Sequence, residues 1–182
     1  MKPIFTIHAG EYLVGSHIER EYKSLSVWVP TKDTGIDLLV TDKQNKKAIS
    51  IQAKFSKDFL PINRSDALKR GLKAVGWYRL NREKIENSRA DRWVFVLYPF
   101  NQKNLDFIII PPGDLIKKLG KGKVIQTYFY VTKKNKCWEA RDLRIANQVR
   151  IAEGKYSNKQ GDFEERRDFT HYLNNWKVIE SL

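Results

Sequence analysis

Two short apolar stretches joined by a polar turn constrain the fold of this chain more than any other feature. Residues 35–40 (GIDLLV) and residues 49–54 (ISIQAK) are rich in aliphatic and β-branched side chains, and the polar cluster 43–47 (KQNKK) lies between them. Apolar runs of this length, bounded by turn residues, predict the two strands of a β-hairpin. The chain is therefore expected to contain a sheet whose register is set by this hairpin.

The alternation of side chains along a strand places the polar residues of the hairpin on one face. On the second strand, Ser50, Gln52 and Lys54 share a face, while the apolar side chains point to the other. On the first strand, Asp37 points away from the apolar set, which consists of Ile36, Leu38 and Val40. If the strands pair so that their apolar sets coincide, Asp37, Gln52 and Lys54 converge.

The segment before the hairpin predicts one more strand and a helix. Residues 25–29 read as a strand that runs into the turn 30–35 and begins an antiparallel meander. Asp33 in this turn is a rival acid to Asp37, but the sequence DTG is good turn chemistry, so Asp33 is a second candidate only. Further upstream, Glu11 falls on the apolar stripe of a predicted helix. A salt bridge at the edge of the core, an exposed position at the helix N-terminus and a metal site are all compatible with this placement.

An acid on one strand and the triplet Gln52-Ala53-Lys54 on the next resemble the PD-(D/E)xK nuclease superfamily, whose members carry an acid followed by a (D/E)-x-K triplet. Residues 10–15 (GEYLVG) are similar to the first helix of bacterial and phage members, in which a glutamate contributes to the metal site. The resemblance extends over about residues 8–112 in the order of elements. It implies an α/β restriction-endonuclease-like core: a helix, a three-stranded meander, a helix and further strands, with a mixed sheet flanked by helices.

The resemblance also implies a site for Mg²⁺, or for Mn²⁺ in its place. Asp37 would be the principal carboxylate ligand, Gln52 would give its amide oxygen, and Ala53 would give its backbone carbonyl. Glu11 would bind the metal directly or through water, and Lys54 would position the attacking water and stabilise negative charge. The chain departs from the family consensus at Gln52, where an amide replaces a carboxylate and lowers the expected metal affinity. Some restriction enzymes of the superfamily nevertheless use a Gln-x-Lys triplet.

Further elements are expected downstream of the hairpin. A helix start is expected at residues 63–66, followed by residues 67–76, in which two glycines weigh against regular structure. The later elements are a helix over 81–87 capped by Asn81, strands over 93–98 and 107–110, a short helix after Pro111, a strand over 124–132, a loop over 154–161, and a closing helix through Phe169, Tyr172, Leu173 and Trp176. The two strands at 93–98 and 107–110 are nearly continuous in apolar residues, as expected when helices cover both faces of a sheet.

The net charge of the chain indicates the class of its binding partner. The formal net charge is +13 over 182 residues, which favours a polyanionic partner because each neutralised phosphate releases counterions. The lysines, arginines and aromatic residues after residue 112 suit contact with DNA. We expect one globular unit, with a nuclease-like core over residues 1–112 and a basic extension over residues 113–182 packed on it.

The sequence also predicts the location of the protein and the environment of its cysteine. The chain contains no apolar run of about 18 residues, so no transmembrane helix is expected. No basic amphipathic helix with a strongly apolar face stands out, so no membrane partner is expected either. Its start lacks the apolar stretch of a signal peptide, which predicts a cytoplasmic protein. Cys137 is the single cysteine and is expected to be a small buried residue.

Together these features predict a magnesium-dependent endonuclease that hydrolyses DNA phosphodiester bonds. A restriction-like role or a junction-resolving role would each require a homodimer, and the size of the chain permits either. The alternative is a catalytically inactive nuclease fold that binds nucleic acid. A third hypothesis, an RNA-directed factor, depends on whether the aromatic residues Tyr128, Phe129 and Tyr130 are exposed.

Overall fold

The computed structural model of the protein describes residues 8–32, 34–56, 71–99, 104–119, 121–140 and 165–182. The strands are β1 (Leu25–Trp28), β2 (Leu38–Asp42), β3 (Ala48–Phe55), β4 (Leu72–Asn81), β5 (Arg92–Leu97), β6 (Asp106–Ile110), β7 (Val124–Thr132) and β8 (Cys137–Ala140). The helices are α1 (Ala9–Glu21), α2 (Arg82–Glu86), α3 (Pro112–Lys118) and α4 (Lys177–Glu180), with 3-10 turns at Glu165–Arg167 and Thr170–Tyr172.

Five strands form a mixed central sheet in the order β1-β2-β3-β5-β6. The pairs β1–β2, β2–β3 and β5–β6 are antiparallel, whereas β3 and β5 are parallel. Parallel neighbours need a crossover connection, and here the crossover contains β4 and α2. The predicted α/β class with a mixed sheet and an opening meander is confirmed.

The predicted register of the hairpin is confirmed. Leu38 pairs with Ile51 and Val40 pairs with Ile49, so the two apolar sets coincide. These four side chains are buried on the face of the sheet that α1 covers, where they pack with Val14 and Ile18 of the helix. The polar set of the hairpin consequently faces the other way.

The opposite face of the central sheet differs from the prediction that helices would flank it. A second sheet, with strand order β4-β7-β8, covers this face together with α2 and α3. Its core is built by large apolar residues of both sheets, among them Tyr78, Phe95, Ile108 and Phe129. The central sheet therefore lies between a helical layer on one side and a mixed layer of strands and helices on the other.

Two further segments differ from what the sequence suggested. Residues 72–76, where two glycines weighed against regular structure, begin β4, which pairs along its length with β7. The expected closing helix is replaced by 3-10 turns, because its backbone bonds to the sheets: the Phe169 amide donates to the Cys137 carbonyl at 2.9 Å and the Asn174 amide donates to the Phe107 carbonyl at 2.7 Å. The side chains of Phe169 and Trp176 are buried in the core all the same.

Several predictions fall outside the described residues. These are the helix start at residues 63–66, the rival acid Asp33, the basic residues Arg141, Arg144 and Arg150, and the loop 154–161. The division into residues 1–112 and 113–182 stays a prediction, although β7 of the second part pairs with β4 of the first. Among the helices of the described ranges, none has the length and apolar character needed to span a membrane.

Candidate functional site

The predicted site residues line one cleft. This cleft has a volume of about 1350 Å³, and Glu11, Asp37, Gln52, Ala53 and Lys54 all contribute to its lining. One wall is formed by the N-terminal turn of α1, the turn before β2 and the end of β3. The other wall is formed by the end of β4, by α2 and by the residues that follow α2.

Asp37 and Gln52 are in direct contact across the β2–β3 pair. They lie one step beyond the Leu38–Ile51 pair of the ladder, and the Asp37 amide donates to the Ile51 carbonyl at 2.8 Å. Gln52 Nε2 donates a hydrogen bond to Asp37 Oδ2, and the Ala53 amide donates to the same oxygen at 2.9 Å. The Asp37 side chain is only 7% exposed, so two donors fix the orientation of a nearly buried carboxylate.

Lys54 lies on the same face of β3 as Gln52 and rests against an aromatic ring. Its Nζ is 5.2 Å from the centroid of the Trp93 ring, a cation–π contact. Trp93 is the parallel-strand neighbour of Gln52 on β5, and its Nε1 donates to Ser88 Oγ at 2.8 Å. Trp93 was predicted only as part of a buried strand, since nothing local in the sequence connects it with Lys54.

Glu11 lies in the first turn of α1 and is 3% exposed. The sequence was compatible with an exposed Glu11 at the N-terminus of the helix. Its burial shows that this interpretation is wrong. The close approach of α1 to β3 explains the burial, because a Cβ on Gly10 would lie 2.7 Å from the Cβ of Phe55. A glycine at this position lets the helix bring Glu11 to the cleft.

The donor types in the cleft fit a magnesium ion. Within the described ranges, no group of three or more His, Cys, Asp and Glu side chains is arranged to hold a metal. The predicted ligand set has only two carboxylates, Glu11 and Asp37, and uses the Gln52 amide and the Ala53 carbonyl for the rest. Mg²⁺ takes oxygen ligands, keeps several waters and is commonly held by one or two carboxylates. Glu11 and Asp37 are both buried and both line this cleft, so the donor set has the number of carboxylates that such a site commonly uses.

The second wall of the cleft is basic. Its exposed charged residues are Arg79 at the end of β4, Lys84 and Glu83 on α2, and Arg89 after α2. The predicted helix with an Asn81 cap is confirmed, since the Asn81 side chain accepts a hydrogen bond from the Lys84 amide at 3.3 Å. Its position at the edge of the cleft could not be predicted from the sequence.

The aromatic residues of β7 do not form a stacking surface. Phe129 and Tyr130 are buried and Tyr128 is half-buried, so the condition for the RNA-directed hypothesis is not met. The lysines around this strand are exposed, namely Lys117, Lys121, Lys123, Lys133, Lys134 and Lys136. Cys137 is buried as predicted, and burial raises the pKa of its thiol well above the ordinary value.

Set beside known proteins, the chain matches no protein-family model, no curated protein and no solved structure.

Proposed function

We propose that this protein is a metal-dependent endonuclease that hydrolyses DNA phosphodiester bonds. The observation that carries the proposal is the contact of Asp37 with Gln52 across the β2–β3 pair, with Lys54 two residues further along the same face and Glu11 buried on the same cleft. The resemblance to PD-(D/E)xK nucleases implies this combination. The antiparallel meander β1–β2–β3 followed by the parallel β3–β5 pair supports a restriction-endonuclease-like core.

The cleft would hold one divalent ion, Mg²⁺ or Mn²⁺, which when bound supplies an activated water and neutralises charge on the phosphate. Asp37 and Glu11 would hold the ion with their carboxylates, and Gln52 and Ala53 would add an amide oxygen and a carbonyl oxygen. The Ala53 amide and Gln52 Nε2 orient Asp37 Oδ2 in the protein itself. Ligand side chains that are fixed in advance bind a metal with less loss of conformational freedom.

Lys54 would act on the substrate. Its ammonium group would orient the attacking water and stabilise the negative charge that develops on the phosphate. Trp93 is the positioning residue for this group, since its ring lies against the Lys54 ammonium and its indole nitrogen is tied to Ser88. Held in this way, the amine stays at the wall of the cleft that carries Asp37.

A net charge of +13 supports a nucleic-acid substrate, and duplex DNA is the form that both proposed roles require. Cutting both strands of a duplex, or resolving a junction, calls for two sites related by symmetry. A homodimer is therefore part of the proposal.

A second candidate is a nuclease fold that binds nucleic acid without cutting it. The Gln52–Asp37 hydrogen bond favours this candidate, because it provides the buried carboxylate with a donor in the absence of any metal. A carboxylate at position 52 would instead repel Asp37 unless it took up a proton or shared a cation with it.

Cleavage of supercoiled plasmid and of branched DNA, in Mg²⁺, Mn²⁺ or EDTA, tests the proposal. We expect cutting that depends on the metal, that is lost in Asp37→Asn and Lys54→Ala, and that persists in Asp42→Asn. Asp42 is the matched control because it lies at the other end of β2 and outside the lining of the cleft. Absence of cutting on both substrates, with DNA binding intact, would replace the nuclease by the noncatalytic binder.

A further inference from the structure

We infer that the basic wall of the cleft is the surface that grips the phosphate backbone of the nucleic-acid substrate. This wall consists of Arg79, Glu83, Lys84 and Arg89, and the inference rests on the proposed function of the same cleft. It differs from the sequence-based expectation, which assigned DNA contact to the basic extension after residue 112.

The three cations of the basic wall are available to an anion from solution. Arg79, Lys84 and Arg89 are all exposed, and among the described residues none of them is in an ion pair. Arg82, in contrast, lies outside the lining of the cleft and is paired with Glu86 at 2.8 Å. The three cations of the basic wall are thus available to bind an anion from solution.

Charge is distributed unevenly over the lining of the cleft. Among the described residues, the first wall carries the acids Glu11 and Asp37 and the cation of Lys54. The basic wall carries three cations and one acid, Glu83, which is a net charge of +2 (3 − 1). A polyanionic strand is attracted to the second wall and repelled by the acids of the first, except at a phosphate that shares the proposed divalent ion. This separation orients the strand as well as binding it.

Strand pairing and hydrogen bonds hold the wall next to the catalytic side. Arg79 belongs to β4, where it pairs with Gln126 of β7. Ser88, which precedes Arg89, accepts hydrogen bonds from Trp93 Nε1 at 2.8 Å and from the Ala90 amide at 3.2 Å. The ring of Trp93 in turn carries the ammonium of Lys54. A strand bound along the wall is thereby placed at a fixed position relative to Lys54.

The test compares two triple variants that remove the same charge. One is Arg79→Ala, Lys84→Ala and Arg89→Ala, in the basic wall. The other is Lys133→Ala, Lys134→Ala and Lys136→Ala, in the turn between β7 and β8, where all three side chains are exposed and none lines the cleft. Binding to a short DNA duplex is measured in EDTA at several salt concentrations, so that affinity is read independently of cleavage.

We expect the wall variant to weaken binding at every DNA sequence and to reduce the slope of log K against log salt by about 2 to 3, at about 0.9 per lost phosphate contact. The turn variant is expected to keep the slope of the unmodified protein. Equal slopes in the two variants, or a larger loss in the turn variant, would overturn the inference.

A third variant excludes misfolding as the explanation. Glu83→Gln removes the one acid of the wall, and we expect it to tighten binding and to steepen the salt dependence, which a damaged fold would not do. Weaker or unchanged binding in Glu83→Gln would contradict the inference. The two proposals can fail separately. If the protein cuts DNA but its binding is insensitive to the wall variants, the nuclease proposal stands and the wall inference fails. If the protein binds DNA through the wall and never cuts it, only the nuclease proposal fails.

Discussion

Replacing Gln52 with glutamate would set two carboxylates against each other across the β2–β3 pair. In the unmodified protein Gln52 Nε2 donates a hydrogen bond to Asp37 Oδ2, and an ionised glutamate has no proton to donate. We therefore expect Gln52→Glu to destabilise the metal-free protein. The same substitution should strengthen the binding of Mg²⁺, because a divalent cation would neutralise both carboxylates.

Two limits set the magnitude of the destabilisation. Two unit charges about 4 Å apart repel by about 4 kcal/mol at an effective dielectric constant of about 20, and the lost hydrogen bond to a charged group adds about 1.5 to 3 kcal/mol. The introduced carboxyl avoids this cost by taking up a proton, which from an ordinary pKa of about 4.3 costs about 2 kcal/mol at pH 6 and about 4 kcal/mol at pH 7.5. Protonating the introduced carboxyl costs less than keeping both carboxylates charged, so the cost of protonation sets the expected loss of unfolding free energy. Position 52 is only half-buried, so this cost is an upper limit.

The sign of the pH dependence follows from the raised pKa of the introduced carboxyl. Above pH 4.3 the folded variant would bind more protons than the unfolded chain, so the unfolding free energy falls as pH rises. Urea unfolding in EDTA at pH 6 and at pH 7.5, repeated with Mg²⁺, measures both effects. Gln44→Glu, in the exposed turn between β2 and β3, is the matched control and is expected to stay within about 0.5 kcal/mol of the unmodified protein. If Gln52→Glu behaves like this control in EDTA, or if Mg²⁺ restores none of the lost stability, residues 37 and 52 do not form a shared cation site.

Two further predictions concern α1. Gly10→Ala would place a Cβ 2.7 Å from the Cβ of Phe55, and we expect the displaced helix to cost about 1 to 3 kcal/mol in urea unfolding and to reduce DNA cleavage at least tenfold. Gly15→Ala, whose Cβ would lie 3.5 Å from its nearest neighbour, is the control, and equal losses of cleavage in the two would contradict the role of the close approach. Burial against the ring of Phe107 lowers the pKa of His17 below 6.5, so the unfolded chain binds more protons and the unfolding free energy should fall as pH drops below that value. His17→Gln should flatten this dependence, and an unaltered slope of urea midpoint against pH would refute it.

The polar face of the hairpin could be predicted because its information is local. Asp37 and Gln52 are 15 residues apart, and the alternation of polar and apolar side chains between them allows one register only. A slip by one residue would turn Ile51 to the cleft and bury Gln52 under α1. The same local alternation identified Lys54 as a neighbour, and the apolar stripe of α1 identified Glu11.

The second sheet could not be predicted in this way. The glycines Gly71 and Gly76 at the start of β4 suggested irregular structure, whereas the strand is stabilised by its pairing with β7 some fifty residues later. The prediction of a closing helix failed for the same reason, since the amides of Phe169 and Asn174 donate hydrogen bonds to strands and not within a helix of their own. The position of Trp93 under Lys54 likewise depends on the β3–β5 pair, which joins distant parts of the sequence.

The crossover between β3 and β5 also has a consequence for the order in which the protein folds. The Asp37–Gln52 contact closes a loop of 15 residues, whereas Ser50 reaches Asp91, at the start of β5, across 41 residues. Closing the longer loop costs more chain entropy and requires β4 and α2 to be accommodated on the way, so long-range parallel pairing is slow. We expect the meander to form first and Trp93 to reach Lys54 late. A nascent or partly refolded chain would then possess the acids of the cleft before it possesses the aromatic support and the basic wall.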